Sequence, residues 1–156
     1  MNSIEIDTEK ISSQIKEQMR KAFFDLIDQT VNSDKPDYEW NKKLYLEIRD
    51  RLSRFLKKDS KNFKKIQEDF DGDFFYQLIT NDVFDFNSML NLIENTFYWI
   101  KNLQAPLRDQ TTEESKNKIL KAEPQKMIST FLKEVHICLD NLDEDMENFI
   151  KSLPQE

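Results

Sequence analysis

Three kinds of residue in this chain have the chemistry to do work: one imidazole and one thiol, a crowd of carboxylates, and a concentrated run of cations. The imidazole and thiol are His136 and Cys138, each the only residue of its type. Residues two apart on a helix project to different faces, so the pair cannot form a nucleophile–base dyad. Cys138 lies between Val135 and Leu142 at three-four spacing and reads as a small core hydrophobe. His136, four residues after Leu132, reads as a boundary residue. No third group stands ready to orient either one, and a single Gly cannot build a phosphate-cradling loop. The expectation is a protein that is not an enzyme, with no catalytic, cofactor-binding or metal-ligating residues.

The carboxylates make two patterns. Asp69-Phe70-Asp71-Gly72-Asp73 looks like part of a calcium loop, but that loop needs its Gly at position 6 and a bidentate Glu at position 12. Placing Gly72 at position 6 puts Gln67 at position 1 and Leu78 at position 12, and both fail. The segment reads instead as a helix end capped by Gly72, followed by an Asp N-cap. The second pattern is Asp140, Asp143, Glu144, Asp145 and Glu147. It has no His or Cys at ligand spacing and reads as a solvated helix face.

The cations carry the most information. Arg49, Arg51, Arg54, Lys57, Lys58, Lys61, Lys64 and Lys65 fall within seventeen residues that hold only two acids, Asp50 and Asp59. That local excess of +6 sits in a chain of net charge −7. Charge is therefore segregated. A basic stripe of this kind can recruit an acidic protein, a phosphopeptide or anionic lipid headgroups, or it can be the polar faces of two helices. We take it as a protein-partner surface, with Phe55 or Phe63 as an apolar anchor at its edge. A peripheral membrane module is the second class and an enzyme of unrecognised type the third. The overall acidity argues against nucleic acid.

The elements that must position these groups are helices. The 156 residues contain one Gly and four Pro, too few turn glycines for a β-rich fold. They are 38% hydrophobic and 34% charged, a mix that suits helices with one apolar stripe each. The reading is a single all-α domain over residues 1–156, a bundle of five to six helices.

The first helix is expected from about Thr8, its cap, to Val31, with Ile11, Ile15, Met19, Phe23 and Ile27 on one face. Pro36 breaks it. The second starts at the Asp37 cap and carries Trp40, Leu44, Ile48, Leu52 and Phe55. The third runs from Ser60 to about Phe70, and a turn or two follows at Phe74–Ile79. The fourth, from after Asp85 to about Leu103, is apolar nearly all round and is expected at the centre. Thr111 or Thr112 should cap the fifth. The last, from about Pro124 to Leu153 with a bend near Asp143, carries Ile128, Phe131, Val135, Leu139, Leu142, Met146, Phe149 and Leu153. The single cysteine fits a reducing, cytoplasmic setting. The N-terminus lacks a signal-like apolar region, and no apolar run is long enough to span a bilayer.

Two blocks resemble the T-complex protein 11 family. Val83-Phe84-Asp85, then Trp99-Ile100-Lys101-Asn102-Leu103, then Ala105-Pro106-Leu107-Arg108-Asp109 is similar to the family's hydrophobic helix and the Ala-Pro-x-Arg-Asp-like segment that ends it. Gln104 stands where the family often has Cys. Leu142-Asp143-Glu144-Asp145-Met146-Glu147-Asn148-Phe149 resembles a second block, with Asp145, Met146, Asn148 and Phe149 in step, and Trp40–Leu56 resembles the helix upstream. The resemblance covers roughly residues 37 to 152 and corresponds to the N-terminal portion of longer members. It implies an all-helical, non-catalytic protein linked to cyclic-AMP and protein-kinase-A signalling, with no cofactor. The block residues Ala105, Pro106, Arg108, Asp109, Asp145, Met146, Asn148 and Phe149 carry over as structural or interaction positions. Arg108, just past a Pro-forced helix end, can pair with Asp109, with an orphan carbonyl, or with Asp145, which would tie the two blocks together.

Overall fold

The computed structural model describes residues 7–154. The chain forms α1 (Thr8–Asn32), α2 (Tyr38–Ser53), α3 (Lys61–Asp69), α4 (Gly72–Thr80), α5 (Phe86–Leu103), a 3-10 turn (Pro106–Arg108), α6 (Asp109–Lys121) and α7 (Pro124–Ser152). The expected all-α bundle is what these residues form, with no strand among the described residues.

A chain with one glycine makes its junctions another way: short polar side chains accept hydrogen bonds from the orphan N–H groups of each first turn. Asp7 caps α1 through the Lys10 N–H (2.9 Å). Asp37 caps α2 through Trp40 (3.0 Å), and Ser60 caps α3 through Phe63 (3.2 Å). Asp71 accepts from Asp73 and Phe74 (3.0 and 3.2 Å) to start α4. Asp85 accepts from the N–H and hydroxyl of Ser88 (3.1 and 2.7 Å) to start α5. Pro124 takes the first position of α7, where its missing N–H costs nothing.

Three junctions differ from expectation. The cap of α1 is Asp7, one residue before Thr8. Gly72 does not end α3. It opens α4 without a positive φ, and a Cβ there would sit 3.1 Å from the Leu46 and Lys42 side chains of α2. Neither Thr111 nor Thr112 is a cap: the 3-10 turn runs straight into α6, and the buried Thr112 hydroxyl donates back to the Gln104 side-chain carbonyl.

The hub consists of α2 and α7 rather than α5. Helix α2 touches α1, α3, α4, α5 and α7, and α7 touches α1, α2, α5 and α6. Their buried stripes are Leu44, Tyr45, Ile48 and Leu52, and Met127, Phe131, Val135, Leu139 and Leu142. Helix α5 buries Met89, Ile93, Phe97 and Ile100, but its Asn87, Asn91, Glu94 and Tyr98 make a solvent face. The expectation of a helix apolar all round overlooked asparagine. Tyr45 stacks on Phe75 at 4.3 Å, fastening α4 to α2.

Two expected seams run out early. In α1 only Ile27 is fully buried, with Phe23, Phe24 and Val31 packed on the core, while Ile11, Ile15 and Met19 are exposed. Helix α7 is unbroken through Asp143, but its burial stops at Leu142, leaving Met146, Phe149 and Leu153 exposed. No helix among the described residues is long and apolar enough to cross a membrane.

Candidate functional site

The basic segment divides by function once folded. Arg49 pairs with its neighbour Asp50 at 3.1 Å. Arg54, Lys57, Lys58, Lys61, Lys64 and Lys65 are exposed along the end of α2, the turn that follows and α3, and none meets a carboxylate among the described residues. Lys65 lies over the rings of Tyr98 (5.4 Å) and Trp99 (5.9 Å) of α5, a cation–π contact that orients the ammonium while leaving it charged. The turn is fixed by Asp59 in the left-handed region (φ 64°), which Asp tolerates better than most residues.

Arg51 leaves this surface, a correction to its assignment as a partner-binding residue. Its side chain is only 12% exposed and reaches across to α7, donating to Asp140 (2.9 Å) and Asp143 (2.7 Å). Its other terminal nitrogen lies 3.2 Å from His136 Nδ1. A guanidinium only donates, so Nδ1 must accept and the ring proton must sit on Nε2. Asp140 also accepts from Arg20 of α1 at 3.3 Å, so one latch joins α1, α2 and α7. The acids Asp140 and Asp143 are therefore interhelical partners, not the solvated face expected of them.

His136 is buried rather than at the boundary, with Phe23 edge-on at 5.5 Å. Burial, then the Arg51 charge, pull its pKa down to about 4, against the opposing pull of Asp140 and the Leu44 carbonyl. Nε2 is buried and has no acceptor within hydrogen-bond geometry; the Leu44 carbonyl bears on the ring without meeting it. Cys138 is buried as expected, and burial raises its thiol to about 11, with the Ser115 and Thr112 hydroxyls acting in the other direction. His136 faces α1 and α2 while Cys138 faces α6, so the two do not meet. The calcium-like segment is also spoken for: Asp69 accepts from the Trp99 indole (2.9 Å), Asp71 caps α4 and Asp73 pairs with Lys42 (2.9 Å).

Arg108 chooses Asp145 from its three possible partners. The pairing is bidentate, Nε and Nη2 donating at 3.0 and 2.8 Å, with Glu144 further off at 4.0 Å. The ion pair holds Asp145 below the usual carboxylate range and raises Arg108. Asp109 instead accepts from the Gln104 amide at 2.7 Å. Gln104 thus bridges Asp109 and Thr112 and straps the 3-10 turn onto α6. Matched against known families, the chain fits the one described as T-complex protein 11 over residues 3–153, nearly its whole length. The chain belongs to the T-complex protein 11 family. No solved structure matches it.

In this T-complex protein 11 family member the two resemblance blocks meet in space through Arg108 and Asp145. Beside that pair, Ala105, Met146 and Phe149 line a small apolar groove with Phe55 and Leu103. Pro106 starts the 3-10 turn and Leu107 is fully presented to solvent at 82%. Asn148 lies across from them, lining a larger cleft of about 680 Å³ between α1, α2 and α7 that His136 and Arg51 also border. Sequence reading missed the Arg51 latch and this groove. The latch had a signal: His136, Asp140 and Asp143 step by four and three along α7 as the core residues do, and Arg51 follows Leu44 and Ile48 by seven and three on a facing helix.

Proposed function

We propose that this protein is a non-catalytic interaction module that binds a protein partner through the exposed cations of the α2–α3 junction. The cyclic-AMP and protein-kinase-A setting implied by the family resemblance, and a cytoplasmic location, belong to the same proposal. One observation carries the reading: Arg54, Lys57, Lys58, Lys61, Lys64 and Lys65 form an exposed basic surface with no carboxylate partner among the described residues, in a chain of net charge −7. Most other cations of the fold, including Lys42, Arg51, Arg108, Lys116 and Lys133, are engaged with acids. Cations left free attract an acidic partner over a Debye length and fix its orientation.

The test is a pull-down comparing wild type with a variant in which Arg54, Lys57, Lys58 and Lys61 are all changed to Glu. Arg51 stays untouched, since reversing it would break the latch and confuse loss of binding with loss of fold. Partners kept by wild type and lost by the folded variant support the reading. Identical partner sets reject it. Co-sedimentation with phosphatidylserine vesicles in the same two proteins separates out the peripheral-membrane alternative, which requires anionic lipid and collapses with salt.

A further inference from the structure

We infer that the groove between the ends of α2, α5 and α7 is an anchor pocket for an acidic amphipathic helix of the partner protein. The inference rests on the proposed basic partner surface and extends it to a shape and a partner chemistry. The groove is walled by Phe55 after α2, Leu103 and Ala105 at the end of α5, and Leu142, Met146 and Phe149 of α7. Its volume of about 170 Å³ suits one large apolar side chain, since a cavity of about 150 Å³ takes a benzene-sized group. Phe149 is 60% exposed and Met146 41%, so apolar surface at its mouth is left uncovered.

The charge around the groove selects the occupant. Its own carboxylate, Asp145, is neutralised by the bidentate Arg108. Glu144 lies 4.0 Å from the same guanidinium, and Glu147 pairs with Lys151 at 3.1 Å. Arg108 and Lys151 thus offset two of these three acids, leaving one negative charge on the α7 wall. On the opposite wall Phe55 is flanked by Arg54, Lys57 and Lys58, which are exposed and unpaired among the described residues. The uncompensated field at the groove is positive, and its floor is apolar. A helix with one apolar face and acidic flanks satisfies both, seating an anchor at three-four spacing while its carboxylates meet the lysines. A bilayer fits less well: it offers no single side chain to fill a concave site.

The experiment pans the full chain against a phage-displayed library of random twelve-residue peptides. The enriched peptides are then synthesised and their affinities measured for three proteins: wild type, Phe149→Ala, and Lys57→Glu with Lys58→Glu. All three substituted positions are exposed, and circular dichroism checks that the variants fold. The expected consensus pairs Leu, Phe or Trp at three-four spacing with several Asp or Glu. Phe149→Ala should weaken binding about tenfold, with Met146→Ala as a second groove variant acting in the same direction. The lysine reversal should weaken binding and flatten its salt dependence. A consensus without acids or without an apolar pair overturns the inference. Binding lost on lysine reversal but indifferent to Phe149→Ala and Met146→Ala also overturns it, while leaving the basic-surface reading intact. Binding indifferent to all the variants rejects both. Displacement of the peptides by phosphatidylserine vesicles that bind wild type but not Phe149→Ala would reassign the groove to lipid.

Discussion

Arg108 and Asp145 show how much one side chain can determine about a fold. The guanidinium fork presents two parallel donors to one carboxylate, a geometry that Lys cannot copy. Each partner's side chain is only 25% exposed, so the pair is partly withdrawn from water. Arg108→Ala should cost about 1–2 kcal/mol, because it also strands Asp145. Arg108→Lys should recover less than half, and a double-mutant cycle with Asp145→Asn should give a coupling near 1 kcal/mol, read by urea unfolding. His136 supplies a second residue-scale expectation. Its folded pKa of about 4 lies below the ordinary 6.5, so the unfolded chain binds more protons across the window between them. Stability is fully present above pH 6.5 and falls as the pH drops toward 4, by about 2 kcal/mol from pH 7 to 5. Protonation there meets Arg51 on one side with Asp140 and Asp143 on the other, and it removes the Nδ1 acceptor that Arg51 uses. Asp145 and Asp85, whose pKa values are lowered from 3.8, lose their contributions only at more acid pH, so the two windows separate. His136→Leu should flatten the curve between pH 7 and 5; an unchanged slope would assign it elsewhere.

At the scale of the element, helices are legible in this sequence because their stop signals are chemical. Asp37, Ser60, Asp71 and Asp85 cap where short polar residues precede apolar stripes, and Pro36 and Pro106 interrupt where φ is locked. Periodicity says which face is apolar, but not whether another element arrives to cover it. That is why the apolar stripes of α1 and α7 run past the core they pack on, and Ile11, Ile15, Phe149 and Leu153 remain exposed. Charge patterns fail for the same reason. Arg51 and Lys58 look alike in a run of cations, and only the approach of α7 turns one into a latch. Helix α1 should show the difference by hydrogen exchange: amides near Ile11–Met19 exchanging well before those of Phe23–Val31, whose side chains pack on the bundle. Equal protection along α1 would mean that its outer half is held by a contact beyond this chain. The turn between α2 and α3 offers a substitution that acts on stability and charge together. Asp59→Gly keeps the left-handed backbone and removes one acid from the basic surface, so it should leave stability within about 1 kcal/mol and tighten binding of an acidic partner. Asp59→Val should lose about 1–2 kcal/mol, because β-branching opposes positive φ.

Across the whole molecule, the groups that hold the bundle together and the groups offered to a partner fall in different places. Stability is concentrated where α2 and α7 cross, in Ile48, Leu52, Phe131 and Val135, all fully buried, with the Arg51 latch at one edge. The basic surface lies on the rim, on exposed side chains, with Lys65 lying over the Trp99 ring. This separation has a measurable consequence. Changing Arg54, Lys57, Lys58 and Lys61 to Glu moves the net charge from −7 to −15, since each reversal is worth two units. Exposed positions outside special contacts usually shift stability by about 0.5 kcal/mol or less each. The added self-repulsion is screened within about 8 Å at physiological salt. The melting temperature should therefore move by less than about 8 °C, and less still as salt is raised. Ile48→Ala, by contrast, removes buried methylenes at the hub without touching charge and should cost about 2–4 kcal/mol, a fall of roughly 4–16 °C for a domain of this size. Partner binding should show the opposite ranking, abolished by the charge reversal and retained by Ile48→Ala below its melting point. If the charge reversal melted the protein as severely as Ile48→Ala, the rim cations would be structural after all, held by contacts within the fold rather than kept for a partner.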